Sequence, residues 1–282
     1  MVAARTFTVL MLLMSFAVHS SAVPDSTDPS SSDSAFQELK EVVQHSRDTG
    51  AYRLNVDFDI EVSDRQDPIT IESRGIFQSP YYRLLSETPS GMEVKSFGKD
   101  KDVLHIHPST DEVVTSEKLG VSSVNRTLLD PFKHMGYLLD PAYDDVSVTR
   151  EEAEQLDGRS LSVLRVKVGS EPVRDVMNEF RDQLKRPLKP GKTTAVYRIL
   201  FDPTGPYIRR IYLTADSEFV EQEEKKHRED WQKDLPEPEG GKEADGPVQM
   251  HVEATFDLTD YGTVADVDIP GDVERMLNQM SN

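Results

Sequence analysis

From Tyr52 to Val62 the chain alternates without a break: Tyr52, Leu54, Val56, Phe58, Ile60 and Val62 are apolar, and Arg53, Asn55, Asp57, Asp59 and Glu61 between them are polar. A two-residue period places all six apolar side chains on one face of a strand. The same period returns late in the chain, where Val248, Met250, Val252, Ala254, Phe256 and Leu258 alternate with Gln249, His251, Glu253, Thr255 and Asp257. After a turn over 64–68, Ile69, Ile71 and Phe77 share one parity of a further strand, with Gly75 marking a bulge or a close approach. Short strands follow over 81–85, 92–97, 103–107 and 113–115, set apart by turn-forming clusters at 88–91, 98–100 and 108–111. Three more occupy 161–168, 194–201 and 207–214, the last two joined by Asp202-Pro203-Thr204-Gly205-Pro206, a hairpin signal.

Other stretches carry a helical period. Phe36, Leu39, Val42 and Val43 form one stripe, with Ser34 as N-cap and Gln37 three residues on, and the helix stops near Thr49-Gly50. Leu128, Phe132, Met135 and Leu139 form a second stripe, ended by Asp140-Pro141. Arg150 to Leu156 reads as a short acidic helix, and Val176, Met177, Phe180 and Leu184 as an amphipathic one stopped by Pro187 and Pro190. Ser217 to Pro247 is mostly Glu, Lys, Asp, Gly and Pro, with Phe219 and Trp231 almost its only large apolar residues. It reads as a charged helix followed by a disordered tether, inserted between two strands.

These elements predict an α+β fold: about ten antiparallel strands, each polar on one face, with short helices between them. A strongly twisted sheet of that size curls, and the helices are the natural cover for its apolar concave face. Such a face either packs solid or leaves a cavity, and the pattern leaves both open.

Composition adds the compartment. Arg5, the apolar run Thr6 to Val18 and the small residues Ser20-Ser21-Ala22 make residues 1–22 a secretory signal peptide; the run is shorter than the roughly 20 residues a spanning helix needs. Residues 23–34, rich in Ser, Asp and Pro, form a flexible leader, and 35–282 form a single domain carrying the insertion 217–247. Beyond the signal peptide no apolar segment reaches spanning length, so no transmembrane anchor is expected after processing. The chain contains no Cys, and an exported protein of this size without disulfides points to the bacterial periplasm. A formal net charge of -19 argues against nucleic acid as a partner, because phosphate affinity rests on Lys and Arg displacing counterions.

No HExxH, CxxC, GxSxG, phosphate-binding glycine loop or EF-hand loop is present, so the chain reads as a non-enzyme without a cofactor. His105 and His107 lie two apart on a strand and are weighed as a metal pair; the favoured reading puts both on a polar face opposite Leu104 and Ile106, with no metal. Paired carboxylates such as Asp57 and Asp59 fit a solvated sheet face. Arg209 and Arg210 must point to opposite faces of one strand. One of them therefore sits on the apolar side or at the sheet rim, to meet a lipid headgroup or to snorkel.

The order of these elements resembles the LolA-like superfamily. The resemblance is carried by AYRLNVDFDIEV, ITIESRGIF, Tyr81-Tyr82-Arg83-Leu84, Gly91-Met92-Glu93-Val94-Lys95, LFDPTGPYIRRIYL and VEATFDLTDYGTVADVDIP, over about residues 35–275. That superfamily includes periplasmic lipoprotein carriers, mycobacterial lipid-binding lipoproteins and the sensor domain of an envelope-stress regulator. The resemblance implies an unclosed β-barrel holding acyl chains of a lipid or lipoprotein beneath a helical lid. The chain departs from the lipid-binding lipoproteins in lacking a lipobox Cys, and from the soluble carriers in its acidic insertion. Leu54, Val56, Phe58, Ile71, Phe77, Leu128, Phe132, Met135, Phe180 and Leu184 are the expected cavity lining. The alternative is an envelope sensor or interaction domain in which the same residues fill a solid core and an envelope protein is the partner.

Overall fold

A computed structural model of the chain describes residues 29–63, 67–87, 91–99, 102–115, 130–140, 145–169, 188–221, 248–264 and 266–280. Helix α1 (Pro29–Asp48) precedes β1 (Ala51–Val62), β2 (Ile69–Gln78), β3 (Tyr81–Glu87), β4 (Glu93–Lys99), β5 (Asp102–Ile106) and β6 (Val113–Val114). Next come α2 (Pro131–Leu138), β7 (Val146–Leu156), β8 (Arg159–Val168), β9 (Leu188–Phe201), β10 (Ile208–Glu221), β11 (Val248–Thr259) and α3 (Gly271–Met280). The strands form one unclosed antiparallel sheet in the order β6-β5-β4-β3-β2-β1-β11-β10-β9-β8-β7. Two meanders are thus joined at a central seam, where β1 pairs with β11.

The register turns the sequence alternation into rows across the sheet. Val94, Ser86, Ser73, Val56, Phe256, Ile211, Ile199 and Leu164 are successive partners on one face, and Arg150 ends that row on the edge strand β7. The next row along the central strands runs Ile71, Phe58, Ala254, Leu213, Tyr197 and Val166. Helix α1 lies across this concave face with Ala35, Leu39, Val42 and Val43 buried against the strands, and α2 buries Phe132, Met135 and Leu138 in the same cluster. Helix α1 is tied down at its middle and near its C-terminus: Arg150 donates to Glu38, and the Ile208 amide donates to Ser46 Oγ over 2.9 Å. Helix α3 covers the opposite, convex face of β4 and β5, where Val273 and Leu277 meet Phe97 and Leu104.

Several elements differ from the sequence reading. Residues 150–156 form strand rather than helix, because the ladder with β8 outweighs the helical preference of a Glu-rich run. A bulge between Glu151 and Glu154 lets both carboxylates reach Arg198. Residues 217–221, expected to open the insertion, instead extend β10: Ser217 continues the inward set Ile211, Leu213 and Ala215 and hydrogen-bonds Thr193 across the ladder. Helix α1 starts at Pro29, ahead of the expected cap Ser34. The helix expected around Val176 to Leu184, and the tether within 222–247, lie outside the described residues.

Candidate functional site: the concave face and its rim

Of the expected lining residues, Leu54, Val56, Phe58, Phe77, Phe132 and Met135 are buried in one cluster, and Ile71 is partly buried against it. Leu128, Phe180 and Leu184 lie outside the described residues. At one end of the face the packing is aromatic. Tyr52 stacks on Phe77 with ring centroids 4.9 Å apart and meets Phe132 edge-on at 5.2 Å, and Phe77 stacks on Tyr82. Phe58 meets Phe256 edge-on in the middle of the sheet. Toward the far half, Ala195 and Ala215 are cross-strand partners, and Val252 is the next partner after Ala215.

The polar residues on this face are arranged in pairs, each closing a hydrogen bond across a ladder. Ser73 donates to Ser86 over 2.8 Å, Ser96 Oγ and His105 Nδ1 lie 2.8 Å apart, and Thr193 and Ser217 lie 3.0 Å apart. Apolar surroundings tolerate hydroxyls only when they are satisfied in this way. His105 is therefore not on a polar face, as the alternation suggested, but buried on the concave side, while Leu104 faces the convex side under α3. The reason is that β5 is covered on both faces. Burial pushes the His105 imidazole below its ordinary value, so it is held neutral. His107 lies beyond the strand and accepts the Ser109 amide at Nδ1. Among the described residues no group of three His, Cys, Asp or Glu is placed to hold a metal ion.

The convex face is charged. Arg210 pairs with Asp257 through two nitrogens, Arg198 bridges Glu151 and Glu154, and Arg165 also reaches Glu151; the guanidinium groups of Arg198 and Arg210 lie over the Tyr212 ring. Beside this network four carboxylates, Asp57, Glu72, Glu87 and Glu93, are direct cross-strand partners on β1 to β4. The Asp57 carboxyl is pushed above its usual value by burial first, then by Glu72, Asp257 and Asp59. An open depression of about 440 Å³ farther along is lined by Glu61, Asp67, Asp216 and His251 among others, too polar for an acyl chain. Arg209 takes the other side of its strand from Arg210, at a register shift between Ile208 and Arg210 on the sheet rim.

The sheet is open, curled and antiparallel, with helices laid on its concave face, as the order of elements in the sequence predicted. No family model matches the chain, and no curated protein matches it. Among solved structures it is similar to the lipoprotein LppX of Mycobacterium tuberculosis, at 10% identity over 86% of this chain and 100% of that one, with a TM-score of 0.47. It is also similar to LprF of Mycobacterium bovis, at 11% identity over 86% and 98%, TM-score 0.46. A LolA superfamily protein from Nitrosomonas europaea matches at 10% identity over 85% and 96%, TM-score 0.31. Likeness at this level concerns shape alone.

Proposed function

We propose that this protein is an exported binding protein that holds a lipid, or the acyl chains of a lipoprotein, on the concave face of its sheet, in the service of lipid or lipoprotein transport across a bacterial periplasm. The observation that carries this reading is the chemistry of that face. The row through Phe58 is nonpolar or aromatic across six strands and the row through Val56 apolar across five, and the serine and threonine hydroxyls on the face are closed in cross-strand pairs. Such a surface suits methylene chains, which need area and no directional partner. Leu54, Val56, Phe58, Ile71, Phe77, Phe132 and Met135 are the lining residues in this reading, with Leu128, Phe180 and Leu184 completing it. No helix among the described residues is long and apolar enough to cross a membrane.

A second reading has its own support. The lining residues with a strand or helix partner on the concave face are buried as deeply as in a filled core, and Asp57, Glu72, Glu87 and Glu93 form a one-signed row on the convex face. A sensor or interaction domain working through an envelope protein would look the same. Organic extraction of purified protein, with titration of a fluorescent fatty-acyl probe, separates the two. The carrier reading expects extractable lipid and saturable probe binding; folded protein that yields neither leaves the interaction domain.

A further inference from the structure

Arg209 is the one partly buried arginine, among the described residues, that gives no hydrogen bond. Arg165, Arg198 and Arg210 each bond a carboxylate, as do the more exposed Arg53 and Arg150. Arg209 has a side chain only 24% exposed, in a chain with 51 acidic residues, yet its nearest carboxylate is Asp202 at 3.9 Å. Asp202 is engaged elsewhere. Its Oδ1 accepts both the amide and the hydroxyl of Thr204, at 3.0 and 2.8 Å, and so closes the β9–β10 turn. Those two bonds hold the Asp202 carboxyl below its usual value, and Arg209 adds only a minor share.

The guanidinium is framed by aromatic rings. Its carbon lies 6.0 Å from the Tyr207 ring centre and 5.9 Å from that of Tyr261, and the two rings stack on each other at 4.7 Å. Tyr261 is fixed by donating its hydroxyl to the Ile208 carbonyl over 2.8 Å, and its ring touches Tyr52, 6.0 Å away, at the aromatic end of the concave face. Nε of Arg209 is buried without a partner, while its two terminal nitrogens are not. A guanidinium carries five donors in a planar fork suited to two oxygens of one anion. Here the rings flank the guanidinium, the nearest carboxylate stands 3.9 Å off while its other oxygen bonds the turn, and the terminal nitrogens make no hydrogen bond.

We propose that Arg209 is the seat of an oxyanion, the carboxylate or phosphate headgroup of the bound lipid, held at the rim with the chain running inward past Tyr52. The headgroup assignment rests on the carrier reading; the anion site does not. The shared chemistry is a bidentate oxyanion, and a free phosphate would satisfy the same fork.

Calorimetric titration of palmitate, its uncharged methyl ester and inorganic phosphate, against wild type, Arg209→Met and Arg209→Lys, tests it. Wild type should favour palmitate over the ester by about tenfold or more, as a charge-assisted bidentate pair supplies. Arg209→Met should erase that preference and leave ester affinity within about twofold, and Arg209→Lys should keep part of it. Phosphate binding that Arg209→Met abolishes, in a protein that binds neither acyl compound, supports the anion site and overturns the carrier reading. Equal wild-type affinity for palmitate and ester with no phosphate binding overturns the proposal, as does an unchanged preference in folded Arg209→Met. The wild-type comparisons stand even if a variant fails to fold.

Discussion

Tyr82 lies flat over Gly98, its cross-strand partner on β4, so closely that a β-carbon at position 98 would fall within the phenol ring. The glycine is there for the ring, whose other side stacks on Phe77 with 5.5 Å between centroids. Tyr82 is 1% exposed and has nowhere to retreat. Gly98→Ala should cost about 1 to 3 kcal/mol of stability, the range for overpacking a filled core, with an unchanged slope in urea unfolding. A neutral result would mean that Tyr82 does not occupy this position.

Phe132 tests how far α2 belongs to the core. Its ring meets Tyr52 and its amide is capped by Asp130. Deleting a packed Phe costs about 3 to 5 kcal/mol. If part of the α2 stripe contacts a ligand, Phe132→Ala in delipidated protein should lose less than that while affinity for a fatty-acyl probe falls. The full loss, with no probe binding by the wild type, would assign Phe132 to a solid core.

His251 sets a pH dependence. Its Nδ1 lies 2.7 Å from Asp216, and its Nε2 lies 3.5 Å from Glu253. Glu61 is its partner on β1, and Asp59 and Glu218 lie on the flanking strands of the same face. The bond to Asp216, with Glu253 behind it, holds the imidazolium above the ordinary histidine value despite partial burial. Stability drawn from this pair is complete below about pH 6.5, the value of an unfolded histidine, and is lost as pH rises through the raised folded value. His251→Gln should therefore lower the melting temperature at pH 6 and lower it less at pH 9. His105 acts in the opposite sense, since burial keeps it neutral, but it is common to both proteins and cancels in the difference. A gap that does not narrow with rising pH would count against the pair.

The strands that alternate cleanly were legible because one of their faces is solvated. Tyr52 to Val62 and Val248 to Leu258 carry their whole burial pattern in their own period, and the expected lining residues on those strands and on β2 fall on the face assigned to them. Where both faces are covered, the period no longer tells inside from outside. In β5, Leu104 and His105 are neighbours and both are buried, so an alternating rule had to misplace one of them, and α3, which went unseen, is what covers Leu104. In β7, Glu151 and Glu154 look like helix because their shared partner Arg198 comes from β9, 47 and 44 residues away along the chain. That one of Arg209 and Arg210 turns to the apolar side or the rim was legible; that it is Arg209 was not. Nor was its lack of a hydrogen bond, because that depends on where Asp202, bonded to Thr204 in the turn, stands relative to it.

The seam between β1 and β11 has a consequence for how the molecule is made. The middle of the sheet, where Phe58 meets Phe256, is assembled from strands at opposite ends of the described chain, whereas each flanking meander is local. While the chain is being synthesised, β1 to β6 can pair with one another, yet the outer edge of β1 has no neighbour until β11 emerges. Long-range closure of this kind slows folding and leaves an apolar strand edge exposed for as long as it lasts. Until that final strand arrives the molecule is two half-sheets with no ladder between them, so its central seam is the last joint to close.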